Sequence, residues 1–338
     1  MSIWSQYRLR LKRRRLVLRG LRKRRELHEL QKRTQQIKPD DLLAFVTLRN
    51  EYPRLEYFLK YYRDLGINHF LIVDNGSTDG SQDYLRAQPD VSLWQSDDSY
   101  RRSRFGMDWL TWLQTRYGHE HWCLTVDPDE FFVYPFCDTR PLRALTDWLD
   151  ASSIRSFPAM LLDMYGKGDE EQSYRPGQNP FELLSWFDSG NYTISRNPLY
   201  GNLWIQGGPR ARTFFAEQPE RAPALNKIPL VRWRRGYAYM SSTHMLLPRG
   251  LNQVYDEWGG EKASGLLLHA KFLDQFSAKA AEEVARGEHY GASVEYRAYQ
   301  ERLARGEGRL DLWCSWSERY VSWRQLELYG LMSRGNWA

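Results

Sequence analysis

The segment FVTLRNEYPRLEYFLKYYRDLGINHFLIVDNGSTDGS, residues 45–81, contains the clearest structural pattern of this chain. It begins with an apolar run that is typical of a buried strand, and residues 68–75 form a second run of the same kind. Between them, Pro53 starts a pattern of apolar residues at helical spacing, which ends at Gly66. Strand, helix and strand in this order predict a right-handed crossover between parallel strands, the repeating unit of an α/β sheet.

The same alternation continues to residue 126. A short helix follows the GSTDGS turn, VSLWQ (91–95) is a third strand, residues 105–118 form a helix, and HWCLTV (121–126) is a fourth strand. We therefore predict an α/β fold with a mainly parallel central sheet and helices on both faces. Ligands of such sheets bind at the carboxyl ends of the strands. Six polar residues fall there: Thr47, Arg49, Asn50, Asp74, Asn75 and Asp127.

The composition is that of a globular protein. Of the 338 residues, 42% are hydrophobic and 14% aromatic, which excludes wholesale disorder. No apolar run reaches the roughly 20 residues that cross a bilayer, and the basic N-terminus does not resemble a signal peptide. Three distant cysteines, Cys123, Cys137 and Cys314, have no zinc-site spacing and are typical of a reducing compartment. We therefore expect a cytoplasmic protein.

The positive charge is concentrated at the N-terminus. Residues 1–33 contain thirteen Lys and Arg against two Glu, a net charge of +11, so the remaining chain carries −5 of the total +6. Aromatic and leucine residues recur in this stretch at near-helical spacing: Trp4, Tyr7, Leu11, Leu18 and Leu21. The pattern predicts a basic amphipathic helix, and we assign residues 1–38 to an N-terminal arm.

Three interpretations of this arm remain open. An anionic membrane surface is the partner that suits it best, because Trp and Leu alternate with Arg, and this would place the protein at the inner face of the membrane. The arm could instead be a solvated tail without specific contacts. Nucleic acid would attract the same charge, but the mildly acidic remainder of the chain argues against it.

The stretch VDPDE, residues 126–130, places three acids at the end of a predicted strand. Pro128 favours a turn that lets Asp127 and Asp129 face one cavity, whereas Glu130 is expected to face away. Mg²⁺ and Mn²⁺ take oxygen ligands, and such a pair can hold either ion against a substrate diphosphate. Taken alone, the pattern fits a solvated turn equally well.

The motifs together resemble those of family 2-like glycosyltransferases with the GT-A fold, in a bacterial subgroup with an Arg-Asn-Glu start. VDNGSTDGS (73–81) and VDPDEFF (126–132) stand in the order that this family shows. The likeness covers about residues 42–300. Later blocks also look like those of the subgroup: IQGGPRARTF (205–214), NKIPLVRW (226–233), SSTHML (241–246) and LLHAKFL (267–273). Signatures of Rossmann dehydrogenases, P-loop NTPases, α/β-hydrolases and HExxH metalloproteases are absent from the sequence.

The resemblance implies a division of the chain. Residues 39–300 would form the GT-A glycosyltransferase domain, with a nucleotide-binding half at 39–135 and an acceptor half at 136–300. Residues 301–338 would follow as a Trp-rich helical segment that packs on the domain. Its aromatic residues recur at helical spacing: Trp313, Trp316, Tyr320 and Trp323.

The resemblance also implies roles on the nucleotide side of the site. Thr47, Arg49 and Glu51 would line the nucleotide end of the cleft. Asp74 would contact the base or the ribose, with Asn75 beside it.

On the metal side, Asp129 would be the principal ligand of Mn²⁺ or Mg²⁺, and Asp127 would approach the ribose or the metal. His244 and His269 are candidates to complete the metal shell, although a histidine in such a stretch is often an ordinary core residue. Arg210 and Lys227 could hold diphosphate oxygens, or they could form ordinary salt bridges.

The sequence departs from the better-known family pattern at the catalytic base, where those enzymes have a Glu-Asp or similar pair. Asp163 and Asp188, which follow strand-like residues, are the candidates. The expected activity is transfer of a sugar from a nucleotide-diphosphate donor to a hydroxyl of a saccharide or glycolipid, in bacterial surface polysaccharide synthesis. A non-catalytic carbohydrate-binding or scaffold protein on the same fold is the alternative.

Overall fold

The computed structural model describes residues 2–167, 173–254, 262–273, 288, 299 and 311–337. The helices of this part of the chain are α1 (Ile3–Lys23), α2 (Tyr52–Leu65), α3 (Ser81–Ala87), α4 (Met107–Tyr117), α5 (Leu142–Ala151), α6 (Gly208–Phe214) and α7 (Trp323–Leu328). The strands are β1 (His28–Gln31), β2 (Leu43–Leu48), β3 (His69–Asp74), β4 (Val91–Gln95), β5 (Trp122–Thr125), β6 (Glu130–Val133), β7 (Ser156–Asp163), β8 (Trp186–Asp188), β9 (Tyr192–Arg196), β10 (Leu203–Gly207), β11 (Asn226–Arg232), β12 (Ala238–Ser241), β13 (Met245–Leu247), β14 (Gly265–His269) and β15 (Ser317–Arg319).

One nine-stranded sheet organises the molecule, in the order β1-β4-β3-β2-β5-β11-β7-β14-β6. Strands β4, β3, β2 and β5 are parallel neighbours, and β7 and β14 point the same way as they do. Strands β1, β6 and β11 run in the opposite direction. The predicted α/β fold with a mainly parallel central sheet is therefore confirmed.

Helices cover both faces of the sheet, as the sequence predicts. Ala44 and Val46 on β2 point into a core that also contains the apolar residues of α2 and α5. Leu43 and Phe45, which alternate with them, point to the opposite face and meet the tryptophan and leucines of α4. The strand is buried on both sides, which explains its continuous apolar sequence.

The parallel arrangement brings distant parts of the sequence to one edge of the sheet. Strands β2, β3, β5, β7 and β14 all end there, and the oppositely directed β11 begins there. We call this the carboxyl edge. It collects the turns after residues 48, 74 and 125, together with residues 163, 227 and 269.

The basic N-terminal segment is built into the body of the protein. Helix α1 packs against α4 and the β12–β13 hairpin through Leu9, Leu16 and Gly20, and β1 extends the central sheet beside β4. A Cβ atom at Gly20 would lie only 3.0 Å from the carbonyl oxygen of Asp108, so glycine permits this close approach. The helix predicted for the N-terminal arm is therefore present as α1, and its contacts contradict the interpretation of the arm as a solvated tail. No helix of the described residues is long and apolar enough to cross a membrane.

The C-terminal residues 311–337 differ from the predicted helical stripe. They contain β15, which pairs with β8, and the short helix α7. Trp323 is buried and contacts Phe136, whereas Trp313 and Trp316 are about half exposed. Because a strand separates Trp316 from Trp323, these side chains do not share one helix face. Residues 301–310 of the predicted segment lie outside the described residues.

Candidate functional site

Two turns at the carboxyl edge interlock through hydrogen bonds. The backbone N–H of Asn50 donates to the hydroxyl of Ser77 (2.8 Å), and its side-chain oxygen accepts from the N–H of Thr78 (2.8 Å). Arg49 donates from its guanidinium to the carbonyl of Asn75 (2.9 Å). The RNE sequence after β2 and the DNGSTDGS sequence after β3 therefore form one continuous surface.

Asp74 lies beneath this surface and carries an oxygen atom without a hydrogen-bond partner. It is fully buried at the end of β3, where its Oδ1 accepts from the N–H of Ser77 (2.9 Å) and the amide of Gln82 (2.8 Å). Its Oδ2 is buried without a hydrogen-bond partner, and so is the hydroxyl of Thr47 on the adjacent strand. Leaving such atoms unsatisfied costs free energy, so both are good acceptors for donor groups of a ligand.

The loop after β4 closes this side of the site. Asn75, which we predicted as a nucleotide contact, donates from its amide to the carbonyls of Ser96 (2.8 Å) and Asp98 (3.0 Å). At the other end of the loop, a Cβ atom at Gly106 would lie 2.6 Å from the hydroxyl oxygen of Thr47. Asn75 therefore positions the loop, and Gly106 allows it to lie against β2.

A chain of ion pairs forms the second side of the site. His269 Nε2 lies 3.3 Å from Asp129 Oδ2, and His269 Nδ1 lies 2.6 Å from Asp163 Oδ1. The other oxygen of Asp163 accepts from Nε of Arg210 (2.7 Å). Strands β7 and β14 pair His269 with Asp163 in parallel register, so the sheet itself fixes the central contact. Arg210, predicted as a diphosphate contact, is thus the partner of Asp163.

Neighbouring charges decide the ionisation of this chain. Burial alone would raise the pKa of Asp129, but His269 and Arg54 help to hold it well below its usual range. Burial likewise opposes ionisation of Asp163, yet Arg210 and His269 keep its pKa low. Burial would lower the pKa of His269, and the two carboxylates outweigh it and raise that pKa. Both acids are therefore ionised at neutral pH.

Arg54, which sequence reasoning missed, links the two sides of the site. Its guanidinium Nη1 lies 3.6 Å from Glu51 Oε2 and 3.7 Å from Asp129 Oδ2. Glu51, predicted to line the nucleotide end, is therefore engaged with Arg54. The sequence contains a signal for this, because an arginine in the first turn of a helix opposes the helix dipole and needs a compensating acid.

Lys227 lies between two acids of the VDPDE sequence. Its buried ammonium contacts the carboxylate of Glu130 and lies 3.5 Å from Asp127 Oδ2. Burial raises the pKa of Glu130 to about 7, although Lys227 opposes the shift. The expectation that Glu130 faces away is corrected, because its side chain contacts Lys227 beside Asp127. Asp127 is 47% exposed and open to a ligand.

Two predicted metal ligands converge. The 3.3 Å between Asp129 Oδ2 and His269 Nε2 is close to the separation of about 3 Å expected for adjacent ligands of an octahedral Mn²⁺ or Mg²⁺ ion. Asp163 binds the other ring nitrogen, as carboxylates commonly do behind a metal-binding histidine. Because the two carboxylates raise the pKa of His269, a metal held by Asp129 and His269 would have to replace a ring proton, and it would take its other ligands from substrate and water.

The full predicted set of four metal ligands is not assembled. His244 lies with Nδ1 2.6 Å from the carbonyl oxygen of Asn226, and its ring centroid is 6.4 Å from that of Trp204. Within the described residues, no group of three or more His, Cys, Asp or Glu side chains is arranged to hold a metal ion. Asp127, Asp129, His244 and His269 therefore do not form one such group.

Both predicted catalytic bases are buried and engaged in ion pairs. Asp163 is held between His269 and Arg210, and its low pKa makes it a weak proton acceptor. Asp188 accepts both arms of the Arg212 guanidinium (2.8 and 3.0 Å) and the hydroxyl of Tyr165 (2.5 Å). Both acids are therefore engaged in buried ion pairs, and a catalytic role for either of them stays a prediction.

Comparisons with known proteins give only a distant structural likeness. No family model matches the sequence, and neither does any curated protein. A UTP-bound UGPase from Acinetobacter baumannii aligns with a TM-score of 0.29 and 10% identity, over 77% of this chain and 82% of that one. A putative glucose-1-phosphate thymidylyltransferase from Bacillus anthracis, in complex with a sucrose, aligns with a TM-score of 0.29 and 9% identity, over 86% and 95%.

A third similar structure is a 4-diphosphocytidyl-2C-methyl-D-erythritol synthase. It aligns with a TM-score of 0.24 and 13% identity over 39% of this chain. The chain spans just under two thirds (66%) of the length of that protein. Likeness at this level leaves the activity to be argued from the site itself.

Proposed function

We propose that the chain is a metal-assisted glycosyltransferase, which transfers a sugar from a nucleotide-diphosphate donor to a hydroxyl group of a saccharide or glycolipid. One observation carries the proposal: Asp129 and His269 meet at the edge where Asp74 and Thr47 keep unsatisfied oxygens. Hydrogen-bond acceptors at one end suit a base or ribose. Two side chains that could bind a metal ion, at the other end, suit a diphosphate. The resemblance to family 2-like enzymes with the GT-A fold agrees with this assignment.

Each residue of the site then has a separate role. The Oδ2 atom of Asp74 and the hydroxyl of Thr47 accept hydrogen bonds from the nucleoside. Asp129 and His269 would hold Mn²⁺ or Mg²⁺, which neutralises charge on the departing diphosphate when bound. Lys227, fixed by Glu130 and beside the exposed Asp127, supplies a second positive charge at the diphosphate.

The test combines binding with turnover. Wild-type protein is screened by thermal shift against nucleotide-diphosphate sugars, with and without Mn²⁺, and then assayed for nucleotide diphosphate release and glycoside formation. We expect one donor to raise the melting temperature in a metal-dependent way, because a ligand stabilises the state that it binds. Binding of saccharides without donor turnover would favour the scaffold alternative. Absence of stabilisation by every donor would contradict the proposal.

A membrane surface is the proposed location, on the cytoplasmic face. Leu9 and Leu16 hold α1 to the body, so its opposite face is presented to solvent as a fixed surface. That face exposes several large apolar side chains: Ile3, Trp4, Tyr7, Leu18 and Leu21. Exposed arginines surround them: Arg8, Arg10, Arg14, Arg15 and Arg22. Apolar and basic groups on one helix face suit the headgroup region of an anionic bilayer.

The membrane proposal is tested by vesicle sedimentation. Phosphatidylglycerol vesicles should bind wild-type protein in a salt-sensitive way, and the double variant Trp4→Ala/Leu18→Ala should lose this binding. Leu328→Ala/Tyr329→Ala, which also removes exposed apolar side chains, is the matched control and should bind like wild type. Equal binding by all three proteins would contradict the proposal. Deletion of α1 is unsuitable, since it would also remove Leu9 and Leu16 from the core.

A further inference from the structure

An exposed aromatic surface is formed where the C-terminal segment meets Lys167 and Trp186. The indole rings of Trp186 and Trp313 meet edge to face with their centroids 6.4 Å apart. The ammonium of Lys167 lies 4.9 Å from the ring centroid of Trp313 and 5.3 Å from that of Trp186. Trp313 is 45% exposed. We call these three residues the aromatic platform.

A second exposed indole comes from the same loop. The backbone carbonyl of Trp316 accepts from the N–H (2.8 Å) and the hydroxyl (3.0 Å) of Ser189. Its ring lies directly over Gly190, where a Cβ atom would be 2.6 Å from the ring. Trp316 is nevertheless 49% exposed. The ring is therefore fixed from below while one face stays open, which lowers the entropy lost when a ligand stacks on it.

The strand β7 connects the aromatic platform to the site. Tyr165 stands two residues after Asp163, and its backbone exchanges two hydrogen bonds with Trp186, each 2.9 Å long. Each extended residue adds about 3.3 Å to the length of a strand. Tyr165, which pairs with Trp186, therefore lies about 7 Å beyond Asp163. The aromatic platform is thus next to the carboxyl edge, on the side away from Asp74.

Helix α6 makes a second connection. Arg210 binds Asp163 of the ion-pair chain, and Arg212, two residues later, binds Asp188. Arg212 also donates to the carbonyl of Leu312, the residue before Trp313. A movement at the aromatic platform would therefore have to disturb buried ion pairs, so its position relative to the site is fixed.

We propose that the aromatic platform and Trp316 bind the saccharide chain of the acceptor, with sugar rings stacked on the indoles of Trp313 and Trp316. The inference rests on the proposed glycosyltransferase function and names the acceptor class. A sugar ring has an apolar C–H face and a rim of hydroxyls, so it matches an indole with an ammonium group beside it. The exposed face of α1 carries five exposed arginines beside its apolar side chains, whereas the two exposed indoles of this surface have one ammonium group beside them. Among the residues that the structure describes, the surface lacks the charge density that suits anionic lipid, which favours a saccharide.

The test uses two variants that remove exposed side chains, Trp313→Ala and Trp316→Ala, with Leu328→Ala, which removes an exposed apolar side chain outside every proposed site, as the control. Each protein is applied to an array of bacterial surface oligosaccharides and assayed for transfer to those that bind wild type. We expect the KM for the acceptor to rise about tenfold in each of the two tryptophan variants, because each loses one aromatic contact with a sugar ring. The KM for the donor, and both KM values of Leu328→Ala, should stay at wild-type values.

Several outcomes would overturn the inference. Wild type could bind no saccharide on the array, or the variants could bind and transfer like wild type. Equal losses for donor and acceptor together with a lower melting temperature would indicate a structural role instead. Failure of the glycosyltransferase proposal is distinguishable: saccharides would still bind in a Trp313-dependent way, but no donor would be turned over.

Discussion

The two sides of the candidate site are built by different physical means. On the nucleotide side, Asn50, Ser77 and Thr78 connect two turns by hydrogen bonds between residues fewer than thirty positions apart. On the metal side, His269 contacts Asp163 across 106 positions of sequence, and both partners are buried and charged. The first side is a local structure with two oxygen atoms left without a hydrogen-bond partner. The second is a set of compensated charges that exists only when the whole sheet is formed.

This difference determines how each side should respond to mutation. Exchange of one hydrogen-bonding group in a turn removes a contribution of about 1 kcal/mol. Removal of one member of a buried ion pair leaves the other charge uncompensated, which costs about 3–5 kcal/mol. The same carboxylate-to-amide substitution should therefore be mild on the nucleotide side and severe on the metal side.

Asp163→Asn should have the largest effect on stability. Both oxygens of Asp163 bind charged partners, so the amide leaves His269 or Arg210 without its anion, and we expect a loss of about 3–5 kcal/mol. Urea unfolding measures this loss. Asp138→Asn, at an exposed pair with Arg324, is the control and should change stability by less than about 1 kcal/mol. Similar losses in the two variants would remove the distinction.

Asn50→Ala should have an intermediate effect. Alanine loses the hydrogen bond to the N–H of Thr78 and must adopt the positive φ of 50°, so we expect a loss of about 1–3 kcal/mol. Asn50→Gly loses the same hydrogen bond but adopts this φ without strain. Glycine should therefore be the milder of the two in urea unfolding. A glycine variant as unstable as the alanine variant would show that backbone strain does not matter here.

Asp74→Asn should affect stability least among the substitutions. The amide oxygen can still accept from Ser77 and Gln82, and the replaced oxygen has no partner to lose, so we expect a change within about 1 kcal/mol. Stabilisation by the nucleotide donor should nevertheless disappear, because the ligand now meets a donor in place of an acceptor. Thermal shift with and without nucleotide separates the two effects. Retained nucleotide stabilisation would exclude Asp74 from the nucleoside contact.

Two buried histidines, one at the start of β3 and one in the ion-pair chain, should give opposite responses to pH. Burial lowers the pKa of His69 on β3, so its contribution is full above about pH 6.5 and is lost as the pH falls. His269 has a raised pKa because of its two carboxylates, so its contribution is full below about pH 6.5 and is lost as the pH rises through that raised value. The urea midpoints of His69→Gln and His269→Gln are compared with that of wild type from pH 5 to 9, without divalent metal. The difference from wild type should grow with rising pH for His69→Gln and shrink for His269→Gln. Parallel curves would contradict the assignment.

The part of the site that sequence reasoning located is the part built locally. The strand–helix–strand pattern of residues 45–81 fixed the positions of Asp74 and Thr47, because hydrophobic periodicity shows where a strand ends. The same periodicity could not show which of the three acids at the end of β5, Asp127, Asp129 and Glu130, face the site. Glu130 was expected to face away, and only the pairing of β11 with β5 and β7 brings Lys227 to it.

The roles of Asp163, Asp188 and Arg210 also depend on packing that spacing cannot reveal. Each acid follows a strand-like run, which indicated the end of a strand but not the arginine that binds the acid. Helix α1 shows the same limit. Its sequence has apolar residues on two faces, and the stripe that we singled out is the exposed one, while Leu9 and Leu16 are buried.

The most direct test of the account is Asp129→Asn. The substitution keeps the size of the side chain and removes the charge that would hold a divalent ion beside His269. We measure donor turnover and the Mn²⁺-dependent thermal stabilisation by the nucleotide diphosphate, for wild type and for the variant. The account predicts that turnover falls by a factor on the order of a hundred or more and that the metal-dependent stabilisation is lost. Near-normal turnover with unchanged metal dependence would contradict it.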